Sequence, residues 1–580
     1  MGKILKGLAA WVIALIVIVV IVVAAVGIYY GITLTSHHPT VTTTTPTTSV
    51  TTISTTVPSV TTTVPSPTTI VFYNWWATTG KVALEHVLSA FEQQYPNISV
   101  KLLIIPGGGS VDFIPVMLSL IEVGKPPEIF QSIYGPNMAS WVTVYPGGPA
   151  AGLKAFVNWT PYYETHLAGK VIPTVFEAGA LAGTLLSMPV QIHTTSLLYI
   201  NIKVLRHYGL PIPTNISQLI NDTIQLAKDG FYNSTNAPWA IGGADLFEAE
   251  QLWHSIFLAL AGPHLYTEFG YGTLNMSNST VMHIINETNE IFALFNKYNL
   301  PSWESMIWTQ SMEALISGRV AFFAMGDWAT NYAYDFYNVT TYPAIPPYIN
   351  WPNVTVVVEP FPGTQQYVMF TVDSVGVTAN LPPAEEQAAL TFVEFWINPT
   401  EGNMIWTKWK GESYYLNMPT NYYNTPEQAW AYERLVNITT KNPNYAVYDS
   451  GAMLFVSSMT MLQNALKNFQ EGVYDLGKLD QTLVQIEKEQ NETWLMLNSY
   501  GLGYLGFPGH PFDGYLPPWV NSTSGDVPKV THSATNTNSA MSNKMSNNVN
   551  ILSNYQVLTA LTLITDLVPY QCLTICSKNF

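Results

Sequence analysis

The run Ile70-Val71-Phe72-Tyr73-Asn74-Trp75-Trp76 opens the part of the chain that can bury a core, and the residues after it decide the fold class. Ile70 to Tyr73 reads as a strand, because β-branched and aromatic residues suit a pleated, buried surface. From Lys81 to Tyr95 the residues Val82, Leu84, Val87, Leu88 and Phe91 recur at helical spacing and give one apolar face. Pro96-Asn97 stops that helix, and Ile98 to Ile105 reads as a second strand. A glycine loop, Gly107 to Gly109, leads to a helix running to Val123, and Ile129-Phe130-Gln131 supplies a third strand. Strand, helix, strand, helix, strand is the repeating unit of an open α/β sheet. Similar alternation recurs at Ser196–His207, Ile216–Lys228, Ser311–Gly318 and Val320–Met325, so the expected class is α/β.

Upstream, Leu8 to Ile28 carries no charge, and at 1.5 Å per helical residue it reaches roughly 31 Å, enough to cross the apolar core of a bilayer. Lys3 and Lys6 precede it, and no Lys or Arg follows until Lys81. That asymmetry places the amino terminus in the cytoplasm and the remainder outside. A cleaved secretory signal would have a shorter apolar core, about 7–15 residues, and a small-residue cleavage site. Residues 1–31 are therefore expected to form a signal and retained transmembrane anchor. Lys6-Gly7-Leu8 resembles the processing site of archaeal pilin-like (class III) signals, in which a cut at Gly7 and Leu8 removes the basic head and leaves the helix in place. Residues 32–69 are almost wholly Thr, Ser, Pro and Val and are expected to form an extended, O-glycosylated stalk. His37 and His38 read as polar stalk residues, since no further ligands lie nearby. At the other end, residues 521–580 begin Ser/Asn/Thr-rich and are expected to be a disordered tail without an assigned role. Asp566 and Pro569 count against a second span there.

The outer part, about 500 residues, is too long for one core and suits two or three lobes. Only 10% of residues are charged, while aromatics reach 13%. No apolar run after the first is long enough to span, so the composition reads as a soluble surface built on Asn, Thr, Ser and Tyr. Such a surface changes little when acid protonates its carboxylates, which fits an acidic medium. A net charge of -16 argues against a nucleic-acid partner, because neutralising phosphates needs clustered Lys and Arg. The only cysteines, Cys572 and Cys576, leave the body without internal disulfides or a thiolate metal site. Sequons begin at Asn97, Asn158, Asn215, Asn221, Asn233, Asn275, Asn278, Asn286, Asn338, Asn353, Asn437 and Asn491, with a further one at Asn521, a density that fits a surface glycoprotein.

Several stretches, in order, resemble the family 1 extracellular solute-binding proteins of ABC sugar importers, with the nearest likeness to archaeal, membrane-anchored, glucose-type members. They are Phe72-Tyr73-Asn74-Trp75-Trp76-Ala77, Pro106-Gly107-Gly108-Gly109, Gly124-Lys125-Pro126-Pro127-Glu128-Ile129-Phe130-Gln131 and Met188-Pro189-Val190-Gln191-Ile192-His193. Met325-Gly326-Asp327-Trp328-Ala329, Pro362-Gly363-Thr364-Gln365 through Val372-Asp373-Ser374, and Lys410-Gly411 follow. The likeness covers about residues 70–500, and Met-Gly-Asp-Trp-Ala is its most specific member. It implies a two-lobed periplasmic-binding-protein-like (type II) fold, with 70–188 and 374–450 in one lobe and 189–373 and 451–520 in the other. Function then follows as capture of a sugar in the cleft and delivery to an ABC permease served by a separate ATPase subunit, with no cofactor and no enzymatic step.

The family pattern places binding groups at Trp75, Trp76, Gln131, Trp328, Asp373 and Lys410, with Asp327 beside them. The residue types make sense: a pyranose offers C–H faces that pack on indole and a hydroxyl rim that wants Asp, Gln and Lys. Trp75, Trp76, Gln131 and Asp327-Trp328 also fall at strand ends, where open α/β sheets bind ligands. Trp328 is expected to be the main stacking platform. For Asp327 the plain structural reading is a cap on the helix that follows; Asp373 reads alternatively as a hinge hydrogen-bonding residue, and His193 as structural. Gly107–Gly109 lacks the Lys-Ser/Thr of a nucleotide loop and reads as a cleft-lining turn. Gly80, where relatives carry an acidic residue, and Ser132-Ile133 depart from the pattern. Two other classes are open to this chain: a surface glycoside hydrolase using carboxylates such as Glu248, Glu250, Asp327 or Asp373, and a pilin-like or surface-layer subunit.

Overall fold

The computed structural model describes residues 67–106 and 112–520. The expected anchor with Gly7 and Leu8, most of the stalk, the glycine loop, Asn521 and the tail lie outside these residues. Among the described residues no helix is long and apolar enough to cross a membrane.

Two sheets organise the chain. In the first, β1 (Thr68–Asn74) runs parallel to β2 (Ile98–Ile104) on one side and β3 (Ile129–Ile133) on the other. The helices Thr79–Gln94 and Phe113–Glu122 make the crossovers. The first buries Ala83, Leu84, Val87 and Phe91, with Val82 and Leu88 half-buried at its margins. Folded structure begins slightly before the expected boundary, since Thr68 and Thr69, assigned to the stalk, already pair with Ile98 and Ser99.

β4 (Met188–Thr195) still belongs to the first sheet, and the chain passes into the second at Ser196. Ser196 has φ 55°, a left-handed conformation that turns the chain sharply into β5 (Leu197–Asn201). The second sheet has the order β6 (Ala237–Trp239), β7 (Val320–Met325), β5, β9 (Val356–Pro360), β8 (Tyr342–Pro343). β5, β7 and β9 are buried along their whole length, so they read in the sequence as largely apolar runs, broken only by Asn201 and Glu359 near two strand ends. β10 (Val368–Val377) returns to the first sheet, antiparallel to β4 along one edge. Its other edge is shared by β3 and β11 (Ala446–Tyr448). The expected lobe boundaries at 188/189 and 373/374 therefore fall inside β4 and β10 rather than between the sheets. Ladder pairing decides this, and no break in apolar pattern marks it.

Helix Phe247–Tyr271, kinked where Gly262 (φ 73°) precedes Pro263, packs on helices Val456–Gln470 and Leu476–Asn498. One hydrophobic cluster contains Phe130 of the first sheet and Leu198 and Ile200 of the second, so the sheets share a core.

That core holds an unusual charge balance. Asp222, Asp245, Glu248, Glu250, Asp327, Glu359, Glu412, Glu427, Asp449 and Glu487 are buried, against Lys410 as the one buried Lys or Arg among the described residues. Burial pushes Asp245 up to about 7, Glu427 up to about 8 and Glu359 up to about 9. The folded chain thus holds protons that the unfolded chain releases. Their contribution is fully present below the ordinary carboxylate range and is lost as pH rises through about 7 to 9. The melting temperature followed by scanning calorimetry should therefore fall between about pH 5 and about pH 9; a flat or rising profile would contradict this account.

Candidate ligand-binding site

Five strands bring polar groups together beside the Ser196 passage. Asp373 lies on β10 at a bulge, where the register against β4 shifts between Asp373 and Ser374. Bulges re-aim side chains, and this carboxylate gathers donors from three strands or strand ends. Its Oδ2 accepts from Gln191 Nε2 at 2.7 Å and from Trp76 Nε1 at 3.2 Å. Its Oδ1 accepts from Gln131 Nε2 at 3.3 Å, and Gln131 Oε1 in turn accepts the Trp75 N–H at 3.0 Å. Lys410 Nζ lies 3.8 Å from Asp373 Oδ2 and 2.9 Å from His193 Nε2. His193 bridges the two carboxylates: its Nε2 is 3.6 Å from Asp373, and its Nδ1 hydrogen-bonds Asp327.

The electrostatics follow from this packing. Burial pushes the Asp373 carboxyl up, but hydrogen bonding by His193, the Lys410 charge and the Trp76 N–H together hold it below the usual range. The same opposition, with His193 as the main counterweight, leaves Asp327 below it too. Burial draws the Lys410 ammonium down, and Asp373 and Asp327 resist that shift.

All seven residues expected to bind ligand meet in this network, but their environments differ. Gln131 and Asp327 are fully buried, and Trp76 and Lys410 are only 4% and 6% exposed. Asp373 keeps 13% of its side-chain surface, and Trp75 and Trp328 are half-buried. The Trp76 ring turns inward, 4.6 Å from Trp406 and 5.7 Å from Trp396, so it offers its N–H to Asp373 rather than a face to the cleft. Trp328 stands edge-on to His193, with centroids 5.0 Å apart. Trp75 packs on Phe113 at 5.0 Å.

Asp327 sits at the head of helix Trp328–Tyr337 but makes no capping hydrogen bond, contrary to the plain reading of its position. It reaches back to His193 and to the Thr194 N–H, 2.9 Å away. His193 meets one oxygen from across the sheets and the Thr194 N–H meets the other, so the carboxylate is satisfied without the helix amides. Two glycines make room for the indoles. A Cβ on Gly326 would lie 2.2 Å from the Trp328 ring, and one on Gly80 would lie 2.6 Å from the Trp76 ring. The departure at Gly80 thus has a packing reason. At the other departure, Ile133 faces Asp373 in the ladder, and Ser132 is buried with its carbonyl accepting from Ser374 Oγ.

Gln191, His193, Trp406 and Glu412 were not singled out as site residues. Gln191 and His193 do alternate on one face of β4, a period-two signal readable in the sequence; Trp406 and Glu412 arrive from a distant helix end. The hydrolase candidates are engaged elsewhere: Glu248 accepts the Gly242 N–H at 2.9 Å and Glu250 accepts from Gln463 at 2.6 Å, both deep in the core. Among the described residues no group of three or more His, Cys, Asp or Glu is placed to hold a metal ion. Of the described sequons, Asn97 and Asn491 are half-buried and the rest are exposed.

The family described as bacterial extracellular solute-binding protein matches residues 76–403. A glucose-binding protein of Saccharolobus solfataricus is 43% identical over 460 residues, covering 78% of this chain and 80% of that protein. A xylose/arabinose-binding protein of Haloferax volcanii is 21% identical, covering 55% of this chain and 64% of that protein. Among solved structures, a chitin oligosaccharide binding protein superposes with TM-score 0.58 at 16% identity, covering 73% of this chain and 99% of that one. A raffinose complex gives 0.55 at 15% identity, covering 73% and 99%. The α/β architecture with two sheets is therefore the type II periplasmic-binding fold.

Asp373→Asn keeps the shape of the hub but removes the charge facing Lys410 and His193. Breaking a buried pair in this way should cost about 3 kcal/mol, read as a lower urea midpoint with an unchanged slope. A loss below about 1 kcal/mol would mean the network does not act as a unit.

Proposed function

Because the chain belongs to the bacterial extracellular solute-binding protein family, we propose that it captures a sugar, of the hexose class typified by glucose, and delivers it to an ABC permease. The observation that carries this reading is the junction itself. A partly exposed carboxylate, Asp373, is braced by Gln131, Gln191, Trp76 and Lys410, and two half-buried indoles join the same network, Trp75 through its N–H to Gln131 and Trp328 against His193. Indole faces suit the C–H surfaces of a pyranose, and an ionised carboxylate makes strong hydrogen bonds to its hydroxyls. In this reading Trp328 stacks on the sugar and Asp373 binds its rim, while His193, Lys410 and Trp76 hold Asp373 ionised, Gln131 donates to it, and Asp327 holds His193 in place. The glucose-binding relative supports the choice of a hexose.

The mechanism we propose needs two lobes, one on each sheet, hinged through Ser196 and 361–367. A sugar touching both lobes shifts the population toward a closed form. Closed protein then docks on the permease, whose ATPase subunit supplies the energy, so the chain itself carries out no catalysis. We further propose that Leu8–Ile28 stays in the membrane after a cut at Gly7-Leu8, with the Thr/Pro tract as a spacer. The exposed sequons, among them Asn158, Asn215 and Asn233, suit glycans on an extracellular surface. Asn215 uses Oδ1 to accept the Gln218 N–H, and its Nδ2 would be the attachment atom.

Titrating the full-length protein in detergent with monosaccharides and oligosaccharides, followed by tryptophan fluorescence, tests the reading; a saturable response to a hexose is expected. If no sugar changes the signal and a glycoside is instead consumed, the reading fails. Trp328→Ala should weaken binding by about 2–3 kcal/mol, roughly 30- to 150-fold in Kd. Unchanged affinity would place Trp328 outside the contact surface.

A further inference from the structure

Lys410 reaches the site on a short loop that is fastened by its neighbour, Glu412. The Glu412 N–H donates to the Ile192 carbonyl at 2.8 Å, and the Ile192 N–H returns the bond at 2.9 Å. Between them Gly411 takes φ +68°, and a Cβ there would lie 2.6 Å from the Ile192 carbonyl oxygen. The loop is thus pressed against β4 beside His193.

The Glu412 carboxyl is fully buried. Its Oε2 accepts the Thr194 N–H at 3.3 Å, the same N–H that Asp327 Oδ2 accepts at 2.9 Å. The two carboxyls thus converge on one backbone donor in the interior. Two buried anions so placed repel each other, and a shared proton removes that repulsion. The groups facing the pair are few. His193 engages Asp327, and Lys410, which lies against His193 and Asp373, is the one ammonium whose charge reaches Asp327 and Glu412, at longer range. Glu427 of helix Pro426–Lys441, Tyr199 of β5 and Tyr423 border the other side, and none of these brings positive charge. Oε1 of Glu412 finds no donor. Asp327, against His193, keeps its charge, so the shared proton resides on Glu412.

We propose that Glu412 is held protonated against Asp327 and that this proton fastens the Lys410 loop to β4, making Glu412 a positioning residue for the saccharide site and saccharide affinity proton-linked. This rests on the sugar-binding reading. Burial pushes Glu412 well above the carboxylate range, and Asp327 and Glu427 push it further. Affinity is therefore full while Glu412 holds its proton and is lost as pH rises through the raised value. A second anion at Glu412 repels Asp327 and frees the loop, withdrawing Lys410 from Asp373. Proton and sugar binding are linked reciprocally.

The test compares the full-length wild type with Glu412→Gln, in which an amide replaces the protonated carboxyl. D-glucose is the probe, titrated calorimetrically from about pH 5 to about pH 9, beside melting curves without sugar. The wild-type Kd should rise on the order of tenfold across this range, while Glu412→Gln stays close to its acid value. Parallel profiles would overturn the proposal, since the loss would then belong to another group such as Lys410. If Glu412→Gln fails to fold, Glu427→Gln serves instead and should move the loss of affinity to lower pH; an unmoved profile overturns the proposal. If glucose binds neither protein at any pH, the sugar reading falls. The sugar-free melting curves then decide the proton: a Glu412→Gln advantage confined to high pH upholds it, and coincident curves refute it.

Discussion

Asp373 is a carboxylate drawn most of the way out of water, and the groups around it are arranged to make that tolerable. Removing such an ion from solvent costs several kcal/mol unless charges and hydrogen bonds replace the lost hydration. Here the replacements come from far apart in the chain: Trp76 after β1, Gln131 on β3, Gln191 and His193 on β4, and Lys410 beyond helix Gly402–Trp409. His193 then ties the hub to Asp327 at the end of β7, in the other sheet. The ionised Asp373 thus requires both sheets to be in register with each other, and the site exists only when the Ser196 passage is correctly made.

Packing around this hub is set by small residues as much as by large ones. Gly80 and Gly326 leave space that the Trp76 and Trp328 rings occupy. One indole is thereby turned into the Phe72, Trp396 and Trp406 cluster, and the other is left half-buried beside His193. The two tryptophans look alike in the sequence as residues at strand ends. Their surroundings separate them, with one donating its N–H to the carboxylate and the other left partly exposed beside His193.

Much of the architecture was legible because local pattern and tertiary role agree. Ile70–Tyr73, Ile98–Ile105, Ile129–Gln131 and Val320–Met325 read as strands and lie in β1, β2, β3 and β7. Buried strands announce themselves by continuous apolar residues. The lobe boundaries were less legible. β4 looks like the start of a new unit, and only its ladder with β10 keeps it in the first sheet. Asp327 has the position of a helix cap and spends its oxygens on His193 and Thr194 instead. Nothing local could reveal this, because the competing donors lie more than a hundred positions away in the chain.

Period, residue type and ordered motifs were enough for the α/β class, for seven of the residues that meet at the junction and for the family to which the chain belongs. All three are written along the chain. Tertiary structure alone decided which of those residues face outward, where the chain changes sheets and which carboxyl holds a proton. Burial and charge pairing are properties of what surrounds a group. For Glu412, as for Asp327 and Asp373, those surroundings are assembled from both sheets at once.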